Sequence, residues 1–233
     1  MSANINGLRG KLDKLKLLAH VEARDIIACQ DTKISSKQSD NSLTIDGYKL
    51  FRKDRNESGG GVALYVKNAL KVFPFNQSVE ENLELIATKI KLHNTHIIVA
   101  TTYKPPRVPV SEFTDYLTSF LSSSSESNIV LTGDTNVCYL SPEFLHIQEI
   151  CDTFELTQVI RTPTHNERVI DQIFASKDLT VHSAGIDSPI EKTHSQTWIK
   201  LSLIDEKSLI ENKNCQSWNF KNVDWVGINL KLM

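Results

Sequence analysis

The chain has 233 residues, 40% hydrophobic and 23% charged, which suits one globular domain of the larger α/β kind or one domain with a tail. Its formal net charge of −2 and isoelectric point near 6.4 exclude a general electrostatic grip on nucleic acid, so any such binding has to come from a local basic rim. The widely spaced Cys29, Cys138, Cys151 and Cys215 form no C-x-x-C pair, which argues against a zinc site or disulfide scaffold, and no apolar run approaches the ~20 residues of a membrane helix, so a soluble intracellular protein is expected.

Over residues 10–23, Leu12, Leu15, Leu18 and Val21 recur at helical spacing. Residues 25–30 read as a buried strand with Cys29 as a core thiol, and residues 48–52 as a short strand. The triplet Gly59-Gly60-Gly61 reads as a flexible hairpin loop entering the strand 62–66. Two strands follow, 83–92 and 95–103, joined by a His93-Asn94 turn and closed by Pro105-Pro106. Residues 110–121 are predicted helical, with Ser111 as a candidate cap. The serine-rich stretch 122–127 reads as a surface loop, and residues 128–132 as another buried strand. Ser141-Pro142 reads as the cap and first turn of a further helix. Strand-like runs then cover 156–161, 169–174, 181–187 and 197–203. Many strands with few interspersed helices do not make a regular βαβ alternation. They predict a four-layered α/β sandwich, two packed mixed β-sheets flanked by helices. The pattern stops near Leu203, so residues 1–204 are read as the domain and 205–233, with Trp218, Phe220 and Trp225, as an appended segment.

Short polar motifs fall where the predicted strands end: Asn4-Ile5-Asn6-Gly7-Leu8-Arg9, Gln30-Asp31-Thr32-Lys33, Tyr103-Lys104-Pro105-Pro106, Gly133-Asp134-Thr135-Asn136, Ile170-Asp171-Gln172 and Thr193-His194-Ser195. Carboxylates, amides and a histidine converging at one edge of a sandwich suit metal-assisted phosphodiester hydrolysis. Hard oxygens hold Mg²⁺, a carboxylate orients the attacking water, and a histidine stabilises the transition-state phosphate. Singly these motifs are weak, since an Asp after a strand is more often a turn residue or cap. Asp171 is more informative, because a carboxylate inside an apolar run needs a partner.

Taken in order, these motifs and the glycine triplet resemble the endonuclease/exonuclease/phosphatase superfamily from Asn4 to about Leu203. Tyr103-Lys104-Pro105-Pro106 and the triplet resemble in particular the apurinic-type endonuclease domain of LINE-type (non-LTR) retrotransposons. The run from Trp218 to Trp225 is similar to the segment leading to the reverse transcriptase. The resemblance implies a Mg²⁺-dependent (or Mn²⁺-dependent) DNA endonuclease that nicks one strand of double-stranded DNA, with a reverse transcriptase in cis and the nucleus as its place of work. It implies Asp31 and Asn4 around the metal, Asp134 orienting the water with Asn136 beside it, Asp171 paired with His194, and Tyr103 and His194 on the scissile phosphate. DNA contacts would come from Arg9, Lys53, Arg55, Arg161 and Arg168.

The sequence departs from the family pattern at three places. Asp31 replaces a Glu, Thr193 replaces the Asp before the final His, and the strand leading into Asn4 is nearly absent. Arg168 also stands where the family often has Ser. These departures keep two alternatives open: a non-catalytic remnant of such a domain, or a phosphoesterase of the same fold with another substrate.

Overall fold

In the computed structural model, which describes residues 1–73, 75, 83–92, 95–124 and 128–203, two six-stranded mixed sheets pack face to face. The first contains β1 (Ser2–Asn4), β2 (Ile26–Gln30), β3 (Tyr48–Lys53), β4 (Val62–Lys67), β11 (Leu179–Asp187) and β12 (Gln196–Leu203), in the order β11-β12-β1-β2-β4-β3. The second contains β5 (Lys71–Phe73), β6 (Glu84–Leu92), β7 (Thr95–Tyr103), β8 (Ile129–Asp134), β9 (Leu156–Gln158) and β10 (Asp171–Ser176), in the order β5-β6-β7-β8-β10-β9. Among the described residues three α-helices flank them: α1 (Leu12–Val21), α2 (Val110–Ser122) and α3 (Phe144–Thr153). The expected four-layered sandwich is the observed architecture. No helix of the described residues is long and apolar enough to cross a membrane.

The alternation of side chains along each strand builds the layers. In β8, Ile129 and Leu131 join Phe113, Leu117 and Phe120 of α2 and Ile147 of α3 on one face, while Val130 faces Ala28, Leu64 and Val99 between the sheets. Of the apolar stripe predicted for the first helix, Leu12 and Leu15 pack, with Ala19, on Ala3, Ile27, Cys29 and Tyr65 of the other outer face and Leu18 lies half-buried against them, whereas Val21 at the helix end is exposed. Near the strand ends the inter-sheet layer turns polar. The fully buried Gln30 amide donates to Ser2 Oγ (3.0 Å) and, across the sheets, to Thr101 Oγ1 (2.6 Å).

Several local expectations are corrected. The strand leading into Asn4 is short but present. Three residues suffice because β1 is central, parallel to β2 with Ser2 opposite Ala28 and Asn4 opposite Gln30, and antiparallel to β12. Ser111 is not a cap: Pro109 stands at the cap position of α2, its fixed φ of −57° leading into the helix. Ser141 does not cap α3 either. It belongs to a preceding turn, its Oγ is buried without a partner, and the helix starts at Phe144. The triplet lies in the hairpin loop between β3 and β4, as expected, with Gly60 and Gly61 at φ of +75° and +84°. The strand β9 stops at Gln158, and β5 was not foreseen. The His93-Asn94 turn, part of the serine-rich loop and the segment 205–233 lie outside the described residues.

Candidate functional site

Register explains why distant motifs meet. Across the second sheet, Glu84 lies opposite Tyr103, Tyr103 opposite Asp134, and Asp134 opposite Asp171. Four strands therefore contribute one row of polar side chains at one edge. In the first sheet Asn4, Gln30 and Val62 form the corresponding row. The two rows join where the Asn4 side-chain amide donates to Asp134 Oδ2 at 2.8 Å.

Asp134 is 1% exposed and accepts from Asn4 Nδ2 on one oxygen and from the Asn136 backbone N–H (2.9 Å) on the other. Asn136 takes a left-handed φ of 52° and anchors its own side chain on the Lys104 carbonyl at 2.9 Å. Burial first, and then the neighbouring Asp171 carboxylate, push the Asp134 carboxyl well above the usual carboxylate range, against His194, Asn4 and Asn136. Asp171, also 1% exposed, has its backbone N–H held by Thr164 Oγ1 (3.0 Å) and both carboxylate oxygens at 3.0–3.1 Å from His194 Nδ1. This is the partner that an Asp in an apolar run required. Burial alone would lower the His194 pKa, but the hydrogen bond and charge of Asp171, with Asp134 and Glu191 behind, raise it.

One ligand atom from each of Asp134, Asp171 and His194 lies within 4.8 Å of the others. Two carboxylates and an imidazole are a donor set that suits a divalent cation, and the crowding that raises the Asp134 pKa is the charge such an ion would relieve. Asp31 lies outside this group. Its φ of 52° turns the shorter side chain to the glycine turn, where Oδ1 accepts the Gly60 N–H (2.6 Å) and Oδ2 sits 3.5 Å from Lys33 Nζ. The Lys33 ammonium also contacts Asn6 Oδ1.

Tyr103 is 8% exposed, and burial, then Asp31, Asp134 and Glu84, push its phenol up, so it remains a hydroxyl at neutral pH. Of the expected DNA-contacting residues, Arg9 is exposed on a 3-10 turn, Arg161 is exposed with its guanidinium 4.4 Å from the Tyr139 ring centroid, and Arg168 is exposed near Asn136 O (3.3 Å). Lys53 reaches the Leu83 carbonyl at 2.7 Å. Arg55, an exposed residue, pairs with Glu84 (2.5 Å) and donates to Gly59 O.

Sequence reasoning missed three residues. Glu84 is 9% exposed and holds Arg55 and the Gly61 N–H; a Cβ at Gly60, whose φ of +75° already favours glycine, would push aside the Arg55 and Glu84 side chains. Glu191 accepts from the Thr193 N–H and hydroxyl and from the His194 N–H (3.0 Å). Although burial opposes it, these bonds and that of Lys192 bring the Glu191 carboxyl down to about 2. A carboxylate is thus supplied beside His194 by Glu191, where Thr193 lacks one. The third, His165, lies with its ring tilted against that of His194.

The model of the Endonuclease/Exonuclease/phosphatase family matches residues 1–193. No curated protein matches the chain. Among solved structures, the endonuclease domain of TRAS1, a telomere-specific non-LTR retrotransposon, is similar over 87% of this chain and 96% of its own, at 15% identity and a TM-score of 0.71. An AP endonuclease from Archaeoglobus fulgidus is similar over 87% and 98%, at 16% identity and 0.67. The human Nocturnin catalytic domain with bound sulfate is similar over 86% and 91%, at 17% identity and 0.64. At these identities the likeness is one of fold.

Proposed function

The chain belongs to the endonuclease/exonuclease/phosphatase family, and from that membership and the geometry of its site we propose that it is a divalent-metal-dependent DNA endonuclease. The observation that carries the reading is the buried group of Asp134, Asp171 and His194 at the edge where both sheets end. DNA as substrate is supported by the Tyr103-Lys104-Pro105-Pro106 motif, by exposed Arg9, Arg161 and Arg168, and by the fold shared with a retrotransposon endonuclease domain. The finer proposal is nicking of one strand to leave a 3′-hydroxyl for target-primed reverse transcription, in the nucleus, by a reverse transcriptase in the same polypeptide.

Mg²⁺, with Mn²⁺ as substitute, would be held by the Asp134 and Asp171 carboxylates with Asn4 alongside, while His194, held by Asp171 through Nδ1, would face the phosphate. Such a cation would supply polarisation of a phosphoryl oxygen and stabilisation of charge on the leaving oxygen. Asp134 would orient the attacking water and accept its proton. The water oxygen would form the new P–O bond as the P–O3′ bond breaks, the water's proton passing to Asp134 and the leaving 3′-oxygen taking one from solvent, to give a 5′-phosphate and a 3′-hydroxyl. Asp171 holds His194 through Nδ1, which turns Nε2 to the phosphate as a charge-assisted donor. The Tyr103 hydroxyl and the Asn136 amide complete the phosphate's surroundings. Asp31, which accepts the Gly60 N–H and lies near Lys33 and Tyr103, would add its carboxylate to the cation's surroundings.

Incubation with supercoiled plasmid tests this. Conversion to open circles in Mg²⁺ and none in EDTA is the expected result; a folded protein that binds duplex DNA and never nicks it would return the chain to the remnant reading. Glu191→Ala should lower nicking by about tenfold by loosening the His194 loop. By the same argument Thr193→Asp should raise it by no more than about twofold, because a carboxylate already stands beside His194 and a second would repel it. A large gain from Thr193→Asp would show that Glu191 does not serve this purpose.

A further inference from the structure

Residues 164–168 form a tight hairpin, with Thr164 N–H and His165 N–H both donating to Arg168 O, and Asn166 at a left-handed φ of 52°. It grips both members of the Asp171–His194 pair. Thr164 Oγ1 accepts from Asp171 N–H (3.0 Å), and the Thr164 carbonyl accepts from Ser195 N–H (2.8 Å). His165 and His194 form a β-bridge, and their rings lie 4.2 Å apart between centroids at 40°.

Asp171 fixes only one end of the His194 ring. A ring hydrogen-bonded through Nδ1 alone still swings about that bond, and its Nε2 sweeps with it. The His165 ring, tilted 40° to that of His194 at 4.2 Å between centroids, stands in the way of that swing. The Nδ1 of His165 is itself buried with no hydrogen-bond partner, so packing and the backbone bridge hold this second ring, not a polar contact. We propose that His165 is a positioning residue, a wall that sets the plane of the His194 imidazole and so aims its Nε2 at the substrate phosphate. This rests on the reading of the site as a phosphodiesterase centre. A misplacement of order 1 Å at such a group costs about a hundredfold in rate, which sets the scale of the effect.

The test uses the full chain carrying His165→Ala and His165→Phe. Phe keeps a flat ring and gives up no hydrogen bond made by Nδ1. Expected are a kcat for plasmid nicking about tenfold to a hundredfold lower in the Ala variant with KM within about threefold, and kcat within about threefold of the parent in the Phe variant. A second readout does not depend on nicking. With isotopically labelled histidine, the His194 ring should give one narrow set of signals in the parent and the Phe variant and a broadened set in the Ala variant. Equal loss in Ala and Phe would mean that an imidazole nitrogen of His165 acts directly, and overturns the proposal; so does an unchanged His194 spectrum in the Ala variant. A parent chain that never nicks but shows the expected spectra counts against the proposed activity and leaves the positioning role standing. Where the Ala variant does not fold, His165→Leu, apolar but not flat, takes its place against Phe.

Discussion

Asp134→Ala is expected to lower Mg²⁺-dependent nicking by about a thousandfold or more, and Asp134→Asn to do nearly as much with a melting temperature within about 4 °C of the parent. The carboxylate is the one group that touches both neighbours of the site, Asn4 and Asn136, and faces Asp171 across the ladder. Asn keeps the volume but offers one acceptor where two donors need one. That loss of about 1 kcal/mol is offset by relief of the repulsion with Asp171. The raised pKa gives a second readout. The folded chain holds this proton more tightly than the unfolded chain, so its contribution to stability is present below the unfolded carboxylate value and is lost as pH rises through the raised one. A cation that binds the ionised group removes the deficit. Mg²⁺ should therefore raise the melting temperature more at about pH 8 than at about pH 5, and Asp134→Asn should abolish the difference. Nicking by Asp134→Ala within tenfold of the parent would sink the assignment.

What the sequence made legible followed from periods and burial. Alternation placed the strands to within a few residues, and because the polar motifs end strands, their convergence at one edge could be foreseen before any register was known. Asp171 was readable as paired because an apolar run leaves a lone carboxylate no other recourse. The partners that act from across the fold were not legible. Glu84 is one of several acidic residues ahead of an apolar run, and only its register opposite Tyr103 brings it to the row. Glu191 folds back over two residues to cap its own loop, which no spacing rule distinguishes from a solvated acid. His165 meets His194 through a single bridge between two irregular segments. Asp31 was readable as a carboxylate but not as to where it points, since a left-handed backbone at one residue decides that. Three residues of β1 carry too little pattern to announce a central strand; its neighbours supply the pairing.

Gly133→Ala is expected to destabilise the domain by about 3 kcal/mol or more, a fall in melting temperature of roughly 6–12 °C, whereas Gly10→Ala should be nearly neutral. A Cβ at Gly133 would lie 1.9 Å from the Thr102 carbonyl oxygen and 2.8 Å from its carbon, backbone atoms that no rotamer can move; at Gly10 nothing lies within 4 Å. Thr102 and Gly133 are register partners in the parallel pair β7–β8, and the next pair along is Tyr103 and Asp134. Spreading the strands to admit a methyl group therefore displaces two site residues at once. It also strains β6, where the Glu84 carbonyl accepts from Thr102 Oγ1 (3.1 Å). Nicking measured well below the melting transition should fall by about a hundredfold, the cost of a shift of order 1 Å. The glycine of Gly133-Asp134-Thr135-Asn136 thus has a physical reason beside its acidic neighbour, because the backbone approach that brings Tyr103 and Asp134 into one row leaves no room for a side chain. Thermal and denaturant unfolding of the two alanine variants side by side decides this, and a Gly133→Ala protein that melts with the parent would show that the strands do not approach so closely.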